Sequence, residues 1–300
     1  MALVHSLWTA PMLAKQRGVQ TQQQIESTIW CYASSVAYAR RNGECINLYT
    51  DHFGRELLGF LPYNNIYNLG MPDDYPTEFW AAGKFFALEQ MQLGDIHIDG
   101  DVFLKTPELM DIIHSSLAES DLIVQSLENE WTYDNEYYIN CLNVIRDNNI
   151  TLPNNPDYYS PAWNCGLVGF NNDELKHKYI QHYAYSVEAI ISSESAMKQI
   201  RSNNETWMDL LIEQQHLYYL SKDYVVCNLL GSGDEAYESS RELGYQHLLG
   251  TDKWEQLDKI QKQLYFLDRD IYYEVVRYIN TTLHDKLREL HTESKGRVLY

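Results

Sequence analysis

Apolar and polar positions along the chain follow two periods in turn. The run ALVHSLW at 2–8 reads as a strand that begins almost at Met1. Between 22 and 40 the apolar side chains Ile25, Ile29, Tyr32 and Val36 fall at helical spacing, and Asn42-Gly43 stops that helix. CINLYTD (45–51) reads as a second strand finishing on the polar pair Thr50-Asp51, and NNIYNLG (64–70) as a short third. Pro76-Thr77 opens a helix that runs to about Leu93, with Gly94 as its stop. DIHIDGDVFL (95–104) reads as a strand and turn. Thr106-Pro107 starts another helix, Thr as N-cap and Pro at the first helical position. Strands are predicted at 121–126 and 162–170, separated by a Tyr- and Asn-rich stretch (131–160) that reads as loop. Helices follow at 173–192 and 205–221, then a strand at 224–230. From Trp254 onward the chain is helical and charged, ending in the basic ESKGRVLY.

Strand–helix alternation of this kind predicts an α/β sheet with both faces covered. Ligands of such sheets bind beyond the carboxyl ends of the strands. With 300 residues, 45% of them hydrophobic, the chain can bury a sizeable core. No internal repeat or low-complexity segment is visible. No stretch approaches the roughly 20 apolar residues of a membrane span, and the N-terminus lacks the pattern of a signal peptide. A cytoplasmic protein without an integral membrane segment is expected. Cys31, Cys45, Cys141, Cys165 and Cys227 are odd in number and form no CxxC pair, which points to reduced thiols and away from structural zinc.

Charge narrows the partners. A net charge of -19 argues against nucleic acid and against adhesion to anionic lipid. One small anionic ligand remains open, because a bound metal supplies positive charge locally. The 24 tyrosines and 7 tryptophans offer flat faces for sugars and bases, and fill cores equally well.

The first chemical signal is Asp99-Gly100-Asp101, placed where an apolar strand ends. Side chains at i and i+2 of a strand point the same way. Two carboxylates so placed form a hard-oxygen site for Mg²⁺ or Mn²⁺, and Gly100 leaves room for a ligand beside the backbone. The same triplet also reads as a solvated turn. The second signal is Gln246-His247-Leu248-Leu249-Gly250-Thr251-Asp252-Lys253-Trp254. Here His247 is a candidate metal ligand, Gly250 permits backbone contact with a phosphate, and Lys253 can place a cation on a departing diphosphate. Taken singly, these three also read as a turn histidine, a helix stop and a surface charge.

Together the two signals resemble the retaining glycosyltransferases of the glycogenin and lipopolysaccharide-galactosyltransferase type, which have the GT-A fold. Their marks are an Asp-x-Asp strand end and a later His-x-x-Gly-x-x-Lys-Pro-Trp. This chain has Asp99, Asp101, His247, Gly250, Lys253 and Trp254, without the proline. Trp163-Asn164-Cys165-Gly166-Leu167 stands where that family has Asn-Ala-Gly, and Glu213-Gln214 where it has Asp-Gln. Lys84 stands for a basic residue on the helix before the Asp-x-Asp; it also reads as a helix-surface lysine. On the first strand Ser6, Trp8 and Thr9 do not match the family's nucleotide-contacting pattern closely, yet are expected to lie under the nucleotide, Trp8 reading also as a core aromatic.

The resemblance covers roughly residues 1–255. It implies a single GT-A-like α/β domain with a helical extension at 256–300. It implies Mn²⁺ or Mg²⁺ on Asp99, Asp101 and His247, Lys253 on the diphosphate, and Asn164, Glu213 and Gln214 near donor sugar or acceptor. The implied activity is transfer of a hexose from a UDP-sugar to the hydroxyl of a glycan or lipid-linked saccharide. Two alternatives stay open on the sequence. One is a Mg²⁺-dependent phosphatase or phosphotransferase with Asp99 as nucleophile. The other is a non-catalytic member of the fold that binds glycans or a partner.

Overall fold

A computed structural model describes residues 1–14, 22–128, 136–154, 161–203 and 207–288. Its strands are β1 (Leu3–Leu7), β2 (Ile46–Thr50), β3 (Asn65–Asn68), β4 (Ile96–Ile98), β5 (Val102–Leu104), β6 (Leu122–Glu128), β7 (Ala162–Phe170), β8 (Val226–Asn228) and β9 (Tyr245–His247). Seven of them form one sheet in the order β3-β2-β1-β4-β7-β6-β8, while β5 and β9 pair separately. Within the large sheet β7 runs antiparallel to β4 and β6, and the other neighbouring pairs are parallel.

Both faces of the sheet are buried, which is why its central strands read as nearly continuous apolar runs. Alternate residues face alternate layers. Leu3, Ile46, Ile96 and Leu167 join one core with Ile29 and Val36 of the Gln22–Arg41 helix and Leu109 and Ile113 of the Pro107–Glu119 helix. Val4, Tyr49 and Val168 join the other with Phe85 and Leu88 of the Ala82–Gln90 helix and Leu175 and Tyr179 of the Asp173–Ile191 helix. This is the covered α/β architecture that the alternating pattern predicts. Beyond residue 255, Ile260 and Leu264 (Leu257–Leu267) and Ile271 and Val275 (Arg269–Tyr278) enter the first core. Among the described residues no helix is long and apolar enough to cross a membrane.

Several elements differ from the sequence expectation. The helix expected from Pro76 begins at Ala82, because the Ala81 N–H goes to the buried Asp209 carboxylate (2.7 Å) rather than to a helical carbonyl. The stretch expected as loop contains the Glu136–Asp147 helix, held by buried Tyr138, Cys141, Leu142 and Ile145 at helical spacing. Residues 131–135 and 155–160 of that stretch, residues 205–206 of the helix expected at 205–221, and the basic end at 293–300 lie outside the described residues. Helices not foreseen include Ala10–Leu13, His52–Leu58, Glu194–Asn203 and Gly233–Leu243; the last buries none of its side chains fully, only Ala236 and Leu243 packing partly on the core. The helix expected over 205–221 is interrupted by a π-helical turn at Leu211–Gln215.

Candidate metal centre

The centre lies where β4 leaves the sheet. The pleat of a strand does not align the two carboxylates as expected. β4 ends at Ile98, and Asp99-Gly100-Asp101-Val102 is a turn closed by the Val102 N–H on the Asp99 carbonyl (3.0 Å). The Asp99 N–H donates across to the Gly166 carbonyl of β7 (2.8 Å). Gly100 is pressed on the Tyr32 ring so closely that a Cβ there would lie 2.2 Å from a ring carbon. The chain then enters β5, whose antiparallel partner β9 sets His247 opposite Val102, while the Leu248 N–H reaches the Asp101 carbonyl (3.1 Å). One ligand atom each from Asp99, Asp101 and His247 thus come to within 4.8 Å of one another.

Each carboxylate has its own lysine. Lys253 donates to Asp101 Oδ2, and His247 Nε2 lies 3.5 Å from Oδ1. Burial pushes the Asp101 carboxyl up, but the Lys253 ammonium beside it outweighs burial and holds the group well below the usual carboxylate range. Lys84 is buried, not a surface lysine. Its Nζ lies 3.0 Å from Asp99 Oδ1 and donates to Glu213 Oε1 (2.7 Å) and the Cys165 carbonyl (3.0 Å). Burial opposes its charge, yet Asp99 and Glu213 raise its pKa, so it is a cation at every working pH.

Two carboxylates and an imidazole nitrogen form a donor set that suits Mn²⁺ or Mg²⁺. His247 Nδ1 lies 2.8 Å from Gln125 Oε1, an acceptor, so the proton sits on Nδ1 and Nε2 keeps a lone pair facing Asp101. The residues present therefore fit the ion.

Of the remaining sequence candidates, Glu213 and Gln214 lie on the π-helical turn, Glu213 reaching Lys84 and Gln214 Oε1 accepting from Tyr138 Oη (3.2 Å). A π turn of this kind recurs at functional sites. Asn164 on β7 donates to Glu128 Oε1 (2.5 Å) and accepts from the Gly166 N–H (2.9 Å). Ser6 Oγ pairs with His97 Nε2 (2.8 Å), and Thr9 Oγ1 donates to Asp51 Oδ2 (2.8 Å). Trp8 is buried edge-on to Tyr75, with ring centroids 5.7 Å apart, and its Cβ packs on Gly83. Gly250 adopts φ +55° in the open turn before Asp252–Glu255. Direct contacts thus join Asp99, Lys84 and Glu213 in one group and Asp101, His247 and Lys253 in another, and the two groups meet where Asp99, Asp101 and His247 converge. Ser6, Trp8, Thr9 and Gly250 are outside that set.

Four residues that the sequence left unmarked touch its candidates: His97 stands beside Asp99, Gln125 on His247, Glu128 on Asn164 and Tyr138 on Gln214. Polar Gln125 and Glu128 interrupt the apolar run of β6, and His97 interrupts that of β4, which was the available signal. Buried His97 aims Nδ1, without a hydrogen-bond partner, at Asp99 Oδ1 3.8 Å away.

No curated protein matches the sequence. Among solved structures, the chain is similar to mouse xyloside xylosyltransferase 1 in its apo form, at 12% identity and TM-score 0.33, over 76% of this chain and 84% of that one. A superposition this loose assigns neither fold nor activity. The model of a family of unknown function, DUF6734, matches residues 1–278, and the chain belongs to that family.

Proposed function

We propose that the protein is a metal-dependent glycosyltransferase that moves a hexose from a UDP-sugar to the hydroxyl of a glycan or lipid-linked saccharide. The observation that carries this reading is the convergence of Asp99, Asp101 and His247 with a lysine on each carboxylate. The motif resemblance adds retention of the anomeric configuration. Asp99, Asp101 and His247 would hold Mn²⁺ or Mg²⁺, which as a bound Lewis acid supplies charge stabilisation to a departing diphosphate.

The chain's own residues then divide the work. Lys253 offers an ammonium to the diphosphate oxygens and is in reach of them because it already stands on Asp101. Lys84 holds Asp99 and Glu213 in one arrangement from inside the fold, so neither carboxylate has to reorganise when substrate binds. Asn164 and Gln214 present amide groups for sugar hydroxyls, and their bonds to Glu128 and Tyr138 fix them in advance. Ser6, Trp8 and Thr9, at the carboxyl end of β1, would support the nucleotide.

Calorimetric titration of UDP with Mn²⁺, repeated with EDTA, tests this reading. Metal-dependent micromolar binding, about -8 kcal/mol, is the expected result, and Asp101→Asn should weaken both metal and UDP. Equal UDP affinity in Asp101→Asn would sink the site assignment. Cleavage of phosphate esters with Mg²⁺ and indifference to UDP would point to Asp99 as a nucleophile instead.

A further inference from the structure

β6 and β7 pair regularly except at one place. Val124 stands opposite Val168 but Ser126 opposite Asn164, so Gln125 faces a bulged segment, Cys165 to Leu167, with no regular partner. Bulges of this kind re-aim a side chain. Here the Gln125 side chain is buried, in a space kept open by Gly166. A Cβ at Gly166 would lie 2.4 Å from Gln125 Oε1 and 2.5 Å from His247 Cε1.

Gln125 Oε1 receives two bonds, from Tyr245 Oη (2.7 Å) and from His247 Nδ1 (2.8 Å). Both donors sit on β9 at i and i+2, on the same side of the strand, so one amide oxygen meets both. An amide oxygen has two lone pairs and cannot donate. The bond to Nδ1 therefore places the proton there and leaves Nε2 with its lone pair 3.5 Å from Asp101 Oδ1. Two acceptors facing each other is an arrangement that a cation relieves. With the Gln125 amide oriented so that its oxygen meets both β9 side chains, the opposite tautomer would put acceptor against acceptor at Nδ1.

We propose that Gln125 is a positioning residue, whose amide oxygen fixes His247 as the Nδ1–H tautomer and presents Nε2 to Asp99 and Asp101. This rests on the reading of those residues as a divalent-cation site. A ligating histidine held by its other ring nitrogen loses roughly 10- to 100-fold in metal affinity when that hold is removed.

The test uses the full chain labelled with ¹⁵N-histidine, free of metal, above pH 8 where an ordinary imidazole is neutral. Long-range ¹H–¹⁵N correlation reads the tautomer of His247, assigned by its loss in His247→Gln. Wild type should show protonated Nδ1. Gln125→Leu should lose that pattern and bind Mn²⁺ roughly 10- to 100-fold more weakly. Gln125→Glu keeps an acceptor of similar shape and should restore the Nδ1–H pattern, which separates the hydrogen bond from packing damage. Protonated Nε2 in wild type, or an unchanged pattern in Gln125→Leu, would overturn the proposal. Equal Mn²⁺ affinity in wild type and Gln125→Leu would overturn it as well. If wild type keeps the Nδ1–H pattern but binds no Mn²⁺, the cation-site reading falls while the tautomer assignment stands.

Discussion

Lys84 shows what a single residue does in this molecule. Its ammonium, buried among Asp99, Glu213 and the Cys165 carbonyl, ties the Ala82–Gln90 helix to the turn after β4 and to the π-helical turn. Lys84→Met leaves the buried Glu213 carboxylate without that ammonium. Breaking a buried pair from one side costs about 3–5 kcal/mol, whereas replacing both partners by apolar groups is close to neutral. Urea unfolding should therefore show a large loss in Lys84→Met and substantial recovery in Lys84→Met/Glu213→Leu. No recovery would mean that Glu213 is held mainly by other groups. A second expectation concerns buried histidines. Burial lowers both His5 and His216 to about 3, against an ordinary value of 6.5. Both are neutral in the fold, while the unfolded chain takes up protons below pH 6.5. Their contribution is complete above pH 6.5 and is lost as pH falls towards 3. Between pH 6.5 and 5 each should lower stability by up to about 1.4 kcal/mol per pH unit. His216→Gln should make the measured slope shallower by about that amount. The identity of every one of these residues was plain in the sequence. Their burial was not, since a lysine in a helix and a histidine in a strand read the same whether or not a carboxylate or a serine waits in another element.

At the scale of elements, the Asp-x-Asp was legible but the geometry behind it was not. The carboxylates converge because a turn reverses the chain and a two-stranded ladder brings β9 back beside it. β9 spans only Tyr245–His247, too short for an alternating pattern, and the Gly233–Leu243 helix that feeds it buries no side chain fully. Pairing across so many residues of sequence is set by the fold rather than by local propensity. Thr106 is where the two ends of this device meet. Its hydroxyl oxygen accepts from the Leu109 N–H (3.2 Å), capping the Pro107–Glu119 helix as predicted, and donates to the Leu243 carbonyl (3.0 Å). Gly244, at φ +77°, turns the chain there into β9 with a Cβ position only 2.9 Å from the Thr106 methyl. Thr106→Ala should lower stability by about 1 kcal/mol, with 2 as an upper figure for a lost cap. Thr106→Ser, which keeps both bonds, should lie close to wild type in thermal unfolding. If the serine variant is as unstable as the alanine one, the methyl packing and not the cap is what matters.

For the whole molecule, the sequence resemblance ends near residue 255, yet the packing does not. Ile260, Leu264, Ile271, Val275 and Leu283 are all buried in the core shared with the Gln22–Arg41 helix. Trp30 lies against Tyr272 with ring centroids 5.4 Å apart, and Phe60 stacks on Tyr278 at 4.4 Å. Tyr278 Oη donates to the Glu56 carbonyl (2.9 Å) and Lys286 reaches the Glu56 carboxylate (3.0 Å), so the tail is fastened to the His52–Leu58 helix as well. Fully burying one such aliphatic side chain contributes roughly 1.5–3 kcal/mol, while a domain's whole net stability is about 5–15. A chain ending at Glu255 would forfeit several of these and uncover Trp30 on Gln22–Arg41, the helix that on its sheet side carries Tyr32, the ring on which Gly100 rests. It should therefore lack a cooperative unfolding transition and lose metal-dependent UDP binding, whereas a chain ending after residue 288 should keep both. The match of the family model through residue 278 points the same way. If residues 1–255 unfold cooperatively and bind UDP with Mn²⁺ as the full chain does, the helices after 255 are a separable addition. If they do not, those helices support the Asp99–Asp101 turn from behind, through Gln22–Arg41 and Tyr32.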